Sequence, residues 1–198
     1  MSQSPTTETS APEQGYLNAW QDLATRIRNG NSFSGREPNS AFLNTRGGRF
    51  ADVSMMSGLG LEDDGRALAV SDWDRDGDLD FWVSNRTAPR VRFLRNDYGN
   101  QSPSVALRLE GDPAKRCPRD AIGAVVTLRL KRGQPLVRQL TAGDGFLSQS
   151  SKWLHFGLGE SEITSVSVRW PGVIAEETFG GLGPGRWHLR QGAGKATT

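Results

Sequence analysis

Five aspartates stand at alternate positions in the nine residues Asp72-Trp73-Asp74-Arg75-Asp76-Gly77-Asp78-Leu79-Asp80. This run restricts the chain more than any other feature. Carboxylates so close together repel, and Arg75 is the only base among them. Short apolar stretches, ALAV (67–70) and LDFWVSN (79–85), flank the loop and read as strands. A tight acidic turn between two strands is best explained by a cation at its centre. The spacing D-x-D-x-D-G-x-x-D suits calcium, a hard ion that takes six to eight oxygen ligands at about 2.3–2.6 Å. Asp72, Asp74 and Asp76 would point carboxylates at one centre. Gly77 permits the reversal, Asp78 would add its backbone carbonyl, and Asp80 would close the site. The candidate metal ligands are therefore Asp72, Asp74, Asp76, Asp78 and Asp80, and the expected cofactor is Ca2+. The loop is not an EF-hand, because loop position 12 is Val83 and not Glu, and the flanks are not helices. Magnesium keeps several waters and suits a crowded carboxylate cage less well.

One helix is legible. In residues 16–29, Leu17, Trp20, Ala24 and Ile27 recur at three or four, Leu23 widens the stripe, and Gly30 stops the run. The stripe reads as a face packed on the protein's own sheet. Beyond Gly30 helical periodicity disappears. Residues 41–54 read as a hairpin turning at Arg46-Gly47-Gly48, and VRFLRN (91–96) alternates as a half-buried strand does. VALRLEG (105–111), AIGAVVTLRL (121–130), PLVRQLTAG (135–143), WLHFGLG (153–159), ITSVSVRW (163–170) and RWHLRQ (186–191) continue the pattern. Short strands at this spacing predict an all-β fold, an antiparallel β-sandwich or barrel-like module with one short N-terminal helix. The domain reading is a disordered tail over 1–15, an amphipathic helix over 16–30, a calcium-binding β unit over 40–98, a second β domain over 104–192, and a loose tail over 193–198. Tyr98–Pro103 is the expected linker.

Charge is segregated. Between Asp52 and Asp80 nine acids face two arginines, although the chain as a whole carries +2. The basic residues are scattered, so the composition does not describe a nucleic-acid-binding face. No apolar run is long enough to span a membrane. The first fifteen residues lack the basic and apolar regions of a signal peptide. The single cysteine, Cys117, excludes an intramolecular disulfide framework and a cysteine-based metal site.

Phe50-Ala51-Asp52-Val53-Ser54, Gly58-Leu59, the aspartate loop and LDFWVSN together resemble the FG-GAP or VCBS-type calcium-binding repeat of β-propellers. A second set of motifs resembles the ASPIC/UnbV domain: Ala121-Ile122-Gly123-Ala124, the run from Ala142 to Ser150, His155-Phe156-Gly157-Leu158-Gly159 and Val168-Arg169-Trp170-Pro171-Gly172. The combination resembles the C-terminal part of the cartilage-acidic-protein family. The resemblance implies a propeller-blade-like hairpin unit beside the β domain, and an extracellular or periplasmic location. Two departures stand out. Val125 replaces the basic residue usual after Gly-Ala, and the chain holds one complete calcium repeat, too few for a closed propeller.

No catalytic constellation is legible. There is no G-x-S-x-G elbow and no glycine-rich loop opening a helix. His155 and His188, the two histidines, sit within strand patterns and read as structural. Asp144 and Ser148-Gln149-Ser150-Ser151 read as turn residues whose side chains satisfy backbone groups. The leading functional expectation is a non-catalytic calcium-binding module for extracellular or periplasmic recognition or adhesion, with a protein or glycan partner. Two alternatives are a calcium-dependent enzyme or accessory domain acting on a small molecule or glycan, and a capping or assembly module of a propeller protein. A pocket lined by Trp73, Arg86, Arg90, His155 and Gln149 would favour the enzyme. Unpaired strand edges make either a monomer or an edge-paired dimer the expected state.

Overall fold

A computed structural model describes residues 11–31, 37–86, 88–97 and 102–198. The expected disorder of residues 1–10 and the part of the linker at 98–101 lie outside the described residues. The fold is all-β with one short helix, and the chain divides into two compact units, residues 1–64 and 65–198. The sequence reading places its main division near residue 100. The second unit instead holds the acidic loop and the later strands together.

In the first unit, helix α1 runs from Ala11 to Arg28, so residues 11–15 are helical and not part of a disordered tail. Gly30 ends it at φ +84°, a backbone angle glycine adopts without a Cβ penalty. The stripe is not a packed face. Leu17, Trp20 and Ile27 are exposed, and only Leu23 and Ala24 are half-buried. Tyr16 and Trp20, one turn apart, cover each other edge-on at 6.1 Å. Strands β1 (Phe42–Asn44) and β2 (Phe50–Asp52) form the expected hairpin, with Phe42 opposite Asp52. Ser54 closes its base. Its Oγ accepts from Ala41 N–H at 2.9 Å, and its own N–H donates to Asp52 Oδ1 at 2.9 Å. The Ser54 hydroxyl donates to the same Asp52 oxygen at 2.5 Å, and this bond first, then the backbone one, holds the Asp52 carboxyl below its ordinary range.

The second unit begins with a three-stranded antiparallel sheet: β3 (Gly65–Ser71), β4 (Asp80–Asn85) and β5 (Val91–Leu94), with β4 central. Trp82 and Phe93, paired across β4 and β5, stack at 4.6 Å. Eight further strands form two four-stranded sheets. One is ordered β11 (Glu176–Phe179), β10 (Ile163–Arg169), β7 (Val125–Leu130), β8 (Leu136–Gln139). The other is ordered β13 (Ala196–Thr197), β12 (Gly185–Arg190), β6 (Ser104–Glu110), β9 (Trp153–Gly157). Both end on open edges, so this is a sandwich and not a closed barrel.

Strict alternation builds its core. Val105, Leu107 and Leu109 of β6, Val126 and Leu128 of β7, and Val166 and Val168 of β10 are all buried. They meet Phe156, Phe179 and Leu189. Each fully buried side chain of this kind contributes about 1.5–3 kcal/mol over an exposed one. Trp170 belongs to this core, with its Nε1–H donated to Glu177 Oε2 at 2.8 Å. Cys117 is buried as well, and burial pushes its thiol pKa up, away from reactivity.

Two features depart from the expected antiparallel module and its loose tail. β6 and β12 are parallel, from Val105 opposite Gly185 to Glu110 opposite Arg190. Residues 193–198, expected to be a loose tail, contain β13, whose Ala196 lies opposite Leu189. Glu177 holds that segment by accepting from the N–H groups of Gly192 and Gly194.

Candidate metal centre

Ser71, the last residue of β3, lies opposite Asp80, the first of β4. The eight residues between them must reverse direction within one hairpin. They do so through left-handed angles at Arg75 (φ 64°) and Gly77 (φ 99°). The reversal gathers the side chains of Asp72, Asp74 and Asp76, with one carboxylate oxygen from each within 4.8 Å of the others. Asp76 N–H turns back to Asp74 Oδ1 at 3.4 Å, and Asp78 N–H to Asp76 Oδ1 at 3.1 Å. That bond from Asp78 holds the Asp76 carboxyl down. Asp74 moves the other way, raised by lost hydration and then by the Asp76 charge.

The five aspartates therefore differ in environment. The Asp72 side chain is only 8 % exposed, with Oδ2 at 3.2 Å from Arg186 Nη1 and Oδ1 buried without a hydrogen-bond partner among the described residues. Asp74 and Asp76 are exposed, and Arg95 Nη1 approaches Asp74 Oδ2 at 4.0 Å. Asp78 is buried. Asp80 is fully buried and braces the loop from beneath. Its Oδ2 accepts from Trp73 N–H and its Oδ1 from Asn96 N–H, both at 2.9 Å. Three carboxylates thus face one another, while the fifth has each oxygen engaged by a backbone donor.

The loop is seated on the outer face of the sheet β13-β12-β6-β9. In the register of that sheet Arg186, Ala106 and His155 form one row across three strands, and Ser104 lies two residues before Ala106 on the same face. Ala106 is small, which leaves room for the loop. Ser104 Oγ donates to the Gly77 carbonyl at 2.7 Å, and His155 Nε2 lies 2.6 Å from the same oxygen. Arg186 reaches Asp72 from the end of the row. His155 is structural, as its strand context predicts, and its ring nitrogen holds the acidic loop at the Gly77 carbonyl. Ser104, Arg186 and Asn96 escape sequence reasoning, because their partners in the loop lie far along the chain and no local spacing marks them.

Asp144 behaves as a turn residue. Its Oδ1 accepts from Ser150 N–H at 2.8 Å, and Ser150 lowers its pKa, first through the hydroxyl and then through that N–H, while Ser150 Oγ accepts from Val70 N–H at 3.0 Å. Trp73 is 63 % exposed and packs edge-on to Trp82 at 5.1 Å. A cleft opens beside the loop, lined in part by Asp72, Arg138, Trp153, His155 and Arg186. Of the pocket residues expected from the sequence, it contains His155. Trp73, Arg86, Arg90 and Gln149 do not line it.

The architecture is that of an all-β sandwich bearing an acidic hairpin loop, and residues 114–196 match the family model described as ASPIC and UnbV. That match supports an ASPIC and UnbV domain over the later strands. The chain is also similar to cartilage acidic protein 1 of the mouse (36 % identical over 116 residues), of the human (33 % over 118) and of Xenopus tropicalis (32 % over 114). These alignments cover 58 %, 58 % and 56 % of this chain. They cover 18 %, 17 % and 17 % of the relatives, so the chain spans less than a fifth of their length. No helix among the described residues is long and apolar enough to cross a membrane.

Proposed function

We propose that this chain is a calcium-binding β module of an extracellular or periplasmic protein, and that it serves recognition or adhesion, with no chemistry of its own. The observation that carries the reading is the convergence of Asp72, Asp74 and Asp76 in a loop braced by Asp80. Asp72 Oδ1, buried without a donor, supports a cation there, since a buried carboxylate oxygen is costly to leave unpaired. The ion would be held by Asp72, Asp74 and Asp76, with Asp78 and Asp80 completing the site, and it would offset their mutual repulsion. Its role is structural, fixing the hairpin against the sandwich. The extracellular setting is supported by the similarity to cartilage acidic protein 1, and the FG-GAP or VCBS character of the loop by its spacing.

Isothermal titration of calcium into the full chain tests the reading. One strong site, with a dissociation constant in the micromolar to millimolar range of sensor and extracellular sites, is expected. It should be lost in Asp74→Asn. Absence of binding in the unsubstituted chain contradicts the proposal.

A further inference from the structure

The cleft beside the acidic loop has a volume of about 260 Å³. Leu79, Ala106 and Trp153 give it apolar lining, and two guanidinium groups also line it, Arg138 of β8 and Arg186 of β12. These two cations differ in what they hold. Arg186 is paired with Asp72 and lies 4.0 Å above the Trp153 ring. Arg138 lies 5.8 Å from the Phe156 ring, and among the described residues no carboxylate is paired with it. The cleft's own acids are Asp72 and Asp144, and Asp144 already accepts from Ser150.

The charge balance of this cleft depends on the loop. Without a cation, Asp72 offsets Arg186. A calcium ion held by Asp72 would draw on that same carboxylate charge, leaving two guanidiniums against the single carboxylate of Asp144. Guanidinium forks match carboxylates in a bidentate geometry. The volume lies just below the roughly 300–1,000 Å³ of pockets for drug-sized ligands, so the occupant is no larger than one sugar acid or one acidic amino acid.

We propose that this cleft binds the carboxylate of a small molecule between Arg138 and Arg186, and that calcium in the acidic loop strengthens the binding. The second half of the statement rests on the calcium reading. The first does not. Calcium and carboxylate then share Arg186 and Asp72 as the coupling pair, and each ligand raises the affinity for the other by the same factor.

The test is titration of the full chain with D-glucuronate, with N-acetylglutamate, and with D-glucose as the uncharged control, each with calcium and with chelator. Both carboxylates should bind and glucose should not, and the tighter of the two names the source as sugar acid or amino acid. Arg138→Met should weaken the carboxylate at least tenfold with an unchanged melting temperature. Arg138→Lys, which keeps the charge and loses the fork, should recover only part. Equal affinity in Arg138→Met, or no carboxylate binding to the unsubstituted chain, overturns the site. Carboxylate affinity that ignores calcium in a chain that does bind calcium overturns the coupling. Carboxylate binding through Arg138 in a chain that takes up no calcium upholds the site while the metal reading fails.

Discussion

Arg186 Nη1 and Asp72 Oδ2 lie 3.2 Å apart, although 114 residues of chain separate them. The pair joins the first aspartate of the acidic loop to the parallel strand β12 of the sandwich. Asp72 is nearly buried and Arg186 is about one third exposed, so the pair lies between a surface salt bridge and an interior one.

Arg186→Met should therefore cost about 1–2 kcal/mol in chelator, a value between those for exposed and buried pairs. Calcium should narrow the deficit, because it supplies the positive charge that Asp72 loses. Urea unfolding of both proteins, with chelator and with calcium, measures this. A deficit that widens in calcium contradicts the shared-carboxylate account.

Gly77 is held by its backbone angle and by its neighbour. At φ +99° a Cβ is strained, and it would also lie 3.0 Å from Ser104 Oγ. Gly77→Ala should destabilise by about 1–2 kcal/mol from the left-handed backbone alone, and Gly77→Val by more. Adding Ser104→Ala relieves the contact but not the angle, so the double variant should regain only part of the loss. Full recovery in a double-mutant cycle would show that the clash alone makes glycine necessary.

Much of the sandwich is legible because its strands alternate. Val126 and Leu128, then Val166 and Val168, announce one buried face at period two, and both pairs are in the core. The segment Glu176–Phe179 carries no such alternation. It becomes a strand through its pairing with β10 and through Glu177, which ties Trp170, Gly192 and Gly194 together. The parallel pairing of β6 with β12 is long-range and leaves no local trace. The acidic loop shows the same division. Its aspartates are visible by spacing, whereas Ser104, His155 and Arg186 become its support only once the sheet places them in one row. The apolar period of α1 predicts a helix correctly, but the face it marks, expected to pack on the sheet, is largely exposed.

Glu177→Leu removes the acceptor for the Trp170 indole and for two backbone N–H groups. A loss of about 2–3 kcal/mol is expected, since hydrogen bonds to a charged acceptor are worth about 1.5–3 kcal/mol. The amides of β13 should also exchange faster with solvent. Unchanged protection at Ala196 and Thr197 would contradict the tethering role.

Asp144 gives a pH signature. Ser150 lowers its pKa in the folded state, so the unfolded chain binds the proton more readily. The stabilisation is present above the ordinary carboxyl pKa of 3.8 and is lost as pH falls through the lower folded value. Asp144→Asn should therefore flatten the stability profile below about pH 4. A profile as steep as that of the unsubstituted chain would assign the acid sensitivity elsewhere.

The most direct test of the account is the thermal unfolding midpoint of the full chain in chelator and at a hundredfold excess of calcium over its dissociation constant. Binding to the folded state alone stabilises it by about 2.7 kcal/mol at that excess. The account predicts a clear upward shift of the midpoint with calcium, abolished in Asp76→Ala. Identical midpoints with calcium and with chelator would contradict it, and would leave Asp72, Asp74 and Asp76 as a solvated acidic turn.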